Sequence, residues 1–252
     1  MTPVDSVVEA LVQARRSRQP AGAAQLPLQD AAAAYAVQDG VARALGWFAG
    51  HRPAHWKSGG PSRASVLTHA PLPPDGVWTS PADARHWPFR QRGIEAEVAL
   101  RLRRDVDATI AARLDLQAAT ALVDAMCVSI EIVDSRWVEA LDAPALHKLA
   151  DLQTHGALVL GEWVPFESRD WSRQTCRVTI GERPLAEFRG SHALADPLFV
   201  LPHWLRHATR GGDEVPGGTV VTTGTWCGLL DALPGDHVVA DFPGIGRAEV
   251  RL

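Results

Sequence analysis

Cysteine is scarce in this sequence: three residues in 252, Cys127, Cys176 and Cys227, odd in number and scattered. A disulfide frame and a thiolate metal site both need pairs or clusters, so the three read as reduced core thiols of an intracellular protein. Long apolar runs are missing too. None approaches the roughly 18 residues that a membrane span requires. The N-terminus places Asp5 ahead of Arg15, Arg16 and Arg18, the reverse of a secretory leader, and a cytoplasmic location is expected. There is no basic excess: 25 Lys and Arg against 29 Asp and Glu leave a net charge of -4, which points away from nucleic acid and anionic membrane surfaces. Ten histidines show no HxH or HExxH spacing, which argues against zinc. GxSxG, P-loop and GxGxxG signatures are also lacking.

What is present is a folding composition, 46% hydrophobic and 21% charged. Without a linker or internal repeat, one domain over 1–252 is expected, its first fifty residues helical and packed on 51–252. Val4, Val7, Val8, Leu11 and Val12 recur at helical spacing, and Pro20 ends that helix. A second helix is expected from an N-cap at Asp30 to Trp47. Residues 51–92 hold seven prolines, so short strands and loops lining a site are expected there. GIEAEVALRLRR alternates as a strand. Residues 114–126 look helical, followed by a strand over 128–133, a short helix over 144–150, and the strand GALVLGEWV. A hairpin turning near Gly181, a helix interrupted at Pro202, and several short strands complete the pattern. Helices and strands do not alternate regularly, which argues against a Rossmann sheet.

Glu95 and Glu97, at i and i+2 of a strand, project from one face, where two carboxylates can converge on a hard cation. Spacing alone equally fits a solvated face continued by Arg101 and Arg103. Glu131 lies in VSIEIV between Ile130 and Ile132, and a carboxylate inside an apolar strand is costly to bury unless paired or coordinated. An exposed glutamate on a half-buried strand fits the same spacing. Asp134, Ser135 and Arg136 follow, and Arg136 suits either a bidentate carboxylate contact or a local salt bridge. Lys57 sits between Trp56 and the Gly59–Gly60 pair; partial desolvation there would lower its pKa and suit proton transfer, while an ordinary surface lysine is the alternative.

Taken in order, HWKSGGPS, GIEAEVALRL, SIEIVDSRW, LADLQTHGALVLG, GTVVTTGTWCGLL and PGDHVVADFPGIGRAEV resemble the 2-keto-4-pentenoate hydratase branch of the fumarylacetoacetate hydrolase superfamily, from about Ala34 to Leu252. That branch also holds 2-oxohept-3-enedioate hydratases and 4-oxalocrotonate decarboxylases. The resemblance implies an α+β fold, a mixed β-roll core with N-terminal helices, and a Mg²⁺ or Mn²⁺ site on Glu95, Glu97 and Glu131. It places Lys57 and Asp151 as catalytic residues, with Ser58, Arg136, Gln153 and Thr225 contacting substrate. One departure stands out: the motif begun by Asp151 normally continues with Asn, and here it is Leu152, so Gln153 or His155 must supply any polar contact.

The implied activity is hydration of a 2-hydroxy-2,4-dienoate in aromatic-acid catabolism by a homo-oligomer that binds a small 2-oxo or 2-enol acid. Alternatives are decarboxylation on the same centre, C–C bond hydrolysis, which calls for a His–Glu pair with no clear counterpart, and a non-catalytic partner subunit. Hydration is favoured over decarboxylation because THAPLPPDGVW and GTWCGLL, the segments expected to build the distal wall, contain no Lys or Arg. Arg63 and Arg85 are the nearest cations. An apolar wall suits a monocarboxylate.

Overall fold

The computed structural model describes residues 2–252. Helix α1 (Pro3–Ser17) opens on a capping box in which Thr2 and Asp5 bond each other's backbone, and it ends at Arg18 in the left-handed region. Helix α2 (Ala31–Leu45) is capped by Asp30 as its sequence predicts. The proline-rich stretch yields β1 (His55–Gly59), β2 (Thr68–Pro71), β3 (Val77–Thr79) and β4 (Ala82–Asp83). Then follow β5 (Gly93–Leu102), the one-turn helices α3 (Ala108–Ala112) and α4 (Leu116–Thr120), and β6 (Val123–Val133). The expected helix over 114–126 therefore stops early and the strand begins five residues sooner. Pairing along β5, with Leu100 opposite Met126 and Ala99 opposite Cys127, overrides the helix propensity of that stretch.

Helix α5 (Ala145–Ala150) leads through a tight turn into β7 (His155–Leu160) and β8 (Val164–Pro165). The expected hairpin is β9 (Thr175–Ile180) with β10 (Ala186–Arg189). Helix α6 (Val200–Ala208) is not interrupted by Pro202, which lies in its first turn, where no intrahelical N–H bond is required. Strands β11 (Val220–Thr222), β12 (Leu230–Asp231), β13 (His237–Phe242) and β14 (Gly246–Arg251) complete the chain. Among the described residues no helix is long and apolar enough to cross a membrane.

Two mixed sheets result. The larger runs β2-β1-β11-β5-β6-β7-β3, with β12 on β5 and β8 on β6; the smaller runs β10-β9-β13-β14-β4. Strands β5 and β6 are the hinge of the design. Ile94, Ala96, Val98, Leu100 and Leu102, with Met126, Val128, Ile130 and Ile132, face a core shared with Val178, Val238, Phe242, Ala248 and Val250 of the smaller sheet. Strand alternation therefore turns Glu95, Glu97, Ser129 and Glu131 to the opposite face.

The N-terminal helices have their own core. Val7, Leu11, Val37 and Val41 pack with Trp137, Leu149 and Ala150, and Gln38 ties α2 to the Leu149 carbonyl at 2.7 Å. Trp137 is fully buried and its indole N–H donates to the His147 carbonyl at 2.8 Å. Replacing Trp137 with Ala removes both the packing and that bond. A loss of about 3–5 kcal/mol is expected, read as a lower melting temperature and early loss of helical circular dichroism; an unchanged melt would contradict this anchoring role.

Candidate active site

The β5–β6 register sets Glu95 directly opposite Glu131 and Glu97 opposite Ser129. Oxygens of Glu95, Glu97 and Glu131 all lie within 4.8 Å of one another. Glu97 and Glu131 are buried, at 2% and 0% exposure, and Glu95 is half-buried, so the solvated-face alternative fails. Like charges facing each other across two strands are destabilising unless something compensates them.

Lys57 supplies part of that compensation. Strand β1 lies between β2 and β11, with Lys57 opposite Ala70 and Thr222, and Lys57 Nζ reaches Glu131 Oε1 at 2.5 Å. His155 Nδ1 meets the same oxygen at 3.0 Å. Glu131 Oε2 is buried with no protein partner. The Thr222 hydroxyl and the Gly224 N–H both donate to Glu97 Oε2, and the backbone at Gly224, with φ of 104°, is one that glycine adopts readily.

Burial opposes every charge here, and the partners decide which survive. Burial, then the charges of Glu131 and Glu97, push Glu95 up to about 8. Burial and Glu131 push Glu97 up to about 7, against the two donors that hold it. Glu131 goes the other way: despite its burial, Lys57 and His155 keep it below the ordinary carboxylate range. Lys57 departs from the sequence expectation. Burial does act to lower its pKa, but Glu131 and Glu95 outweigh that and the ammonium is raised. Lys57 is thus held in its ammonium form.

Lys57, Glu95 and Glu97 open on a cavity of about 490 Å³ lined also by Gln153, Thr222 and Leu229 among others, while Glu131 contacts Lys57 from outside that lining. A larger cavity, about 640 Å³, lies near Arg43, Arg52 and Arg210, where Arg52 pairs with Asp213 at 2.5 Å and Arg210 with Asp39 at 3.6 Å, and it holds none of these carboxylates.

The remaining expected site residues divide. Gln153 lines the cavity; its carbonyl accepts from Lys57 Nζ at 3.2 Å and its side-chain amide donates to Thr68. Leu152, Gln153 and Thr154 are all left-handed, with φ of 53°, 56° and 59°, a strained run that aims this carbonyl at Lys57. Leu152 is buried and offers no polar group, so the contact comes from its neighbour's backbone. Ser58 and Thr225 line the cavity, but their hydroxyls are engaged with His69 Nδ1 at 2.8 Å and the Gly228 carbonyl at 2.8 Å.

Asp151 and Arg136 require correction. The Asp151 carboxylate, fully buried, accepts from Arg136 Nε at 2.7 Å and Arg15 at 3.0 Å, and neither Asp151 nor Arg136 lines the cavity. They brace the turn that leads to Gln153. The apolar distal wall is corrected as well: Lys148, from a segment outside those expected, lines the cavity with Leu141. Arg63 is spent on the Leu194 carbonyl at 2.5 Å and the Phe199 ring, and Arg85 on Asp83 at 2.5 Å. A His–Glu pair does exist, His155 with Glu131, but His155 does not line the cavity. Sequence reasoning also missed Thr222 and His192, the latter neutral because burial lowers it to about 4 and fixed between Thr223 and Leu194. Gly224 in TVVTTGT was the one readable signal.

Residues 68–252 match the fumarylacetoacetate (FAA) hydrolase C-terminal family, and the chain belongs to it. Within that family it is similar to the 2-keto-4-pentenoate hydratases of Burkholderia vietnamiensis and Paraburkholderia phymatum, each 30% identical over 158 residues, 62% of this chain. The match spans 58% of the length of those relatives. Among solved structures, 4-oxalocrotonate decarboxylase from Pseudomonas putida G7, complexed with calcium and acetate, superposes with a TM-score of 0.82 at 20% identity, covering 98% of this chain and 96% of that one. Fumarylpyruvate hydrolase from Pseudomonas aeruginosa, in complex with Mn2+ and pyruvate, follows at 0.54 and 13%, covering 78% and 88%. The likeness to these structures is one of fold: helices with mixed, curled sheets.

Three converging carboxylates, with the buried Oε2 of Glu131 unpartnered, and no thiol make a donor set suited to a hard divalent cation. Glu95 and Glu97 hold their protons far above the ordinary carboxylate range, so their contribution to metal-free stability is full at low pH and is lost as pH rises through about 7 and 8. A cation that displaces those protons reverses the loss. Melting curves should therefore fall from about pH 6 to pH 8.5 without metal and recover with Mg²⁺ or Mn²⁺, by about 2.7 kcal/mol at a hundred times the dissociation constant. Glu97→Gln should abolish the recovery; a wild-type melt indifferent to both ions at every pH would exclude the site.

Proposed function

We propose that this protein is a divalent-metal-dependent hydro-lyase that adds water to a 2-hydroxy-2,4-dienoate, the enol of a 2-oxo-4-enoate, in the catabolism of aromatic-derived acids. The observation that carries this reading is the convergence of Glu95, Glu97 and Glu131, with oxygens within 4.8 Å of one another, beside a cavity that Glu95, Glu97 and Lys57 line, with the Lys57 ammonium 2.5 Å from Glu131. The naming of its curated relatives as hydratases supports the reaction, and the calcium, magnesium and Mn2+ complexes of its structural neighbours support a divalent ion.

Glu95, Glu97 and Glu131 would hold Mg²⁺ or Mn²⁺, and the bound cation supplies Lewis-acid stabilisation of the charge that develops on the C2 oxygen of the acid. The protein's own groups do the rest. Lys57, kept protonated by Glu131, donates a proton to the terminal carbon of the dienol as the C2 oxygen releases its enol proton and the ketone forms. That proton restores the ammonium, and water then adds across the conjugated alkene, its OH to C4 and its H to C3. The Gln153 carbonyl and Glu131 hold Nζ from two sides, which fixes its line of approach. Val133, Leu194 and Leu229 supply apolar wall.

Lys57→Met removes the donor and keeps the side-chain volume. Turnover should fall roughly a hundredfold or more, with divalent-ion binding by calorimetry retained. The assay is the loss of dienol absorbance with added Mg²⁺ or Mn²⁺. Turnover within a few-fold of the wild type would remove Lys57 from proton transfer, and no dienol consumed by the wild-type protein would remove the hydratase reading.

A further inference from the structure

The chain has 25 basic residues other than histidine, and only two of them are lysines, Lys57 and Lys148. Both line the same cavity, which about one residue in twelve lines, and none of the 23 arginines does. The two lysines differ in their surroundings. Lys57 is buried and ion-paired with Glu131. Lys148 is half-buried on the last turn of α5, and its Nζ donates to the Leu141 carbonyl at 3.0 Å. No carboxylate pairs with it among the described residues. An ammonium carries three donors, so two remain available.

Exposure orders the cavity from inside to outside. Glu97 and Lys57 lie at 2% and 8%, Glu95 and Gln153 are half-buried, and Leu141 and Leu229 stand at 39% and 40%. Lys148 is bonded to Leu141 and belongs to the outer part. The wall from Leu141 to Thr154 thus runs from an unpaired cation to the Gln153 carbonyl that holds Lys57. A ligand whose 2-oxo acid end lies at the carboxylate cluster would extend its carbon chain toward Lys148, between the apolar side chains of Leu141 and Leu229.

We infer that Lys148 receives a second carboxylate at the far end of the substrate, so that the site selects dicarboxylic 2-oxo and 2-enol acids over monocarboxylic ones. This rests on the reading of the cavity as a 2-oxo acid site and overturns the expectation of an apolar distal wall. A carboxylate on a half-exposed lysine is a charge-assisted contact of moderate strength, sufficient for about a tenfold preference.

The test compares two stable ligands of equal chain length, 2-oxoadipate and 2-oxohexanoate, by calorimetry and thermal shift on the Mg²⁺-loaded protein, without turnover. Wild type should bind 2-oxoadipate about tenfold more tightly. Lys148→Met should erase that ratio while leaving 2-oxohexanoate affinity and melting temperature unchanged, and Lys148→Glu should invert it. Equal affinities in the wild type, or a ratio that survives in Lys148→Met, would overturn the assignment and leave the 2-oxo acid reading standing. Binding of neither ligand would overturn that reading, and this inference with it.

Discussion

The structure depends on a carboxylate that has no business being in the interior alone. Glu131 is fully buried in the central strand pair, faces Glu95 across it, and keeps its charge. Desolvating such a group costs several kcal/mol, and it stays ionised only because Lys57 and His155 share one of its oxygens. Its other oxygen has no protein partner. With Glu95 and Glu97 close by, three acids meet one lysine; Glu95 and Glu97 answer by holding protons, and that excess of carboxylates over cations is the imbalance a divalent cation would offset.

Much of the surrounding fold serves to hold that imbalance in place. One face of β5 and β6 is packed against the smaller sheet, and this burial is what makes the opposite face rigid enough to carry three acids. The N-terminal helices act at a distance. They pack on Trp137 and α5, and α5 ends at Asp151, whose bonds to Arg136 and Arg15 brace the left-handed run Leu152–Thr154. Strain in that run is sustained by its burial and its braces, and the result is a main-chain carbonyl fixed on Lys57. Asp151 is therefore a positioning residue for the turn.

The position of Leu152 illustrates the same logic. A left-handed residue favours Asn or Gly, and Asn is what the family resemblance implies at that position. This chain places a buried leucine in that conformation and takes the polar contact from the next carbonyl. The Lys57 ammonium is thus held by backbone, a contact that side-chain substitution at Leu152 does not remove.

The sequence by itself determined the periodic features. The alternation of GIEAEVALRL and VSIEIV set two acids on one face of one strand and a third on another, and Asp30 and the helical spacing of Val7 and Leu11 marked the N-terminal helices. Those signals are local, and local geometry decides them. The ordered set of segments carried the family as well. What only the tertiary structure decided was pairing and register. The opposition of Glu95 to Glu131, the raised pKa of Lys57, the diversion of Asp151 and Arg136 into a brace, and the arrival of Lys148 on the cavity wall all join residues far apart in the chain. A residue's type and spacing fix the direction in which its side chain leaves the backbone, whereas its charge state and partners depend on which other segments fold against it.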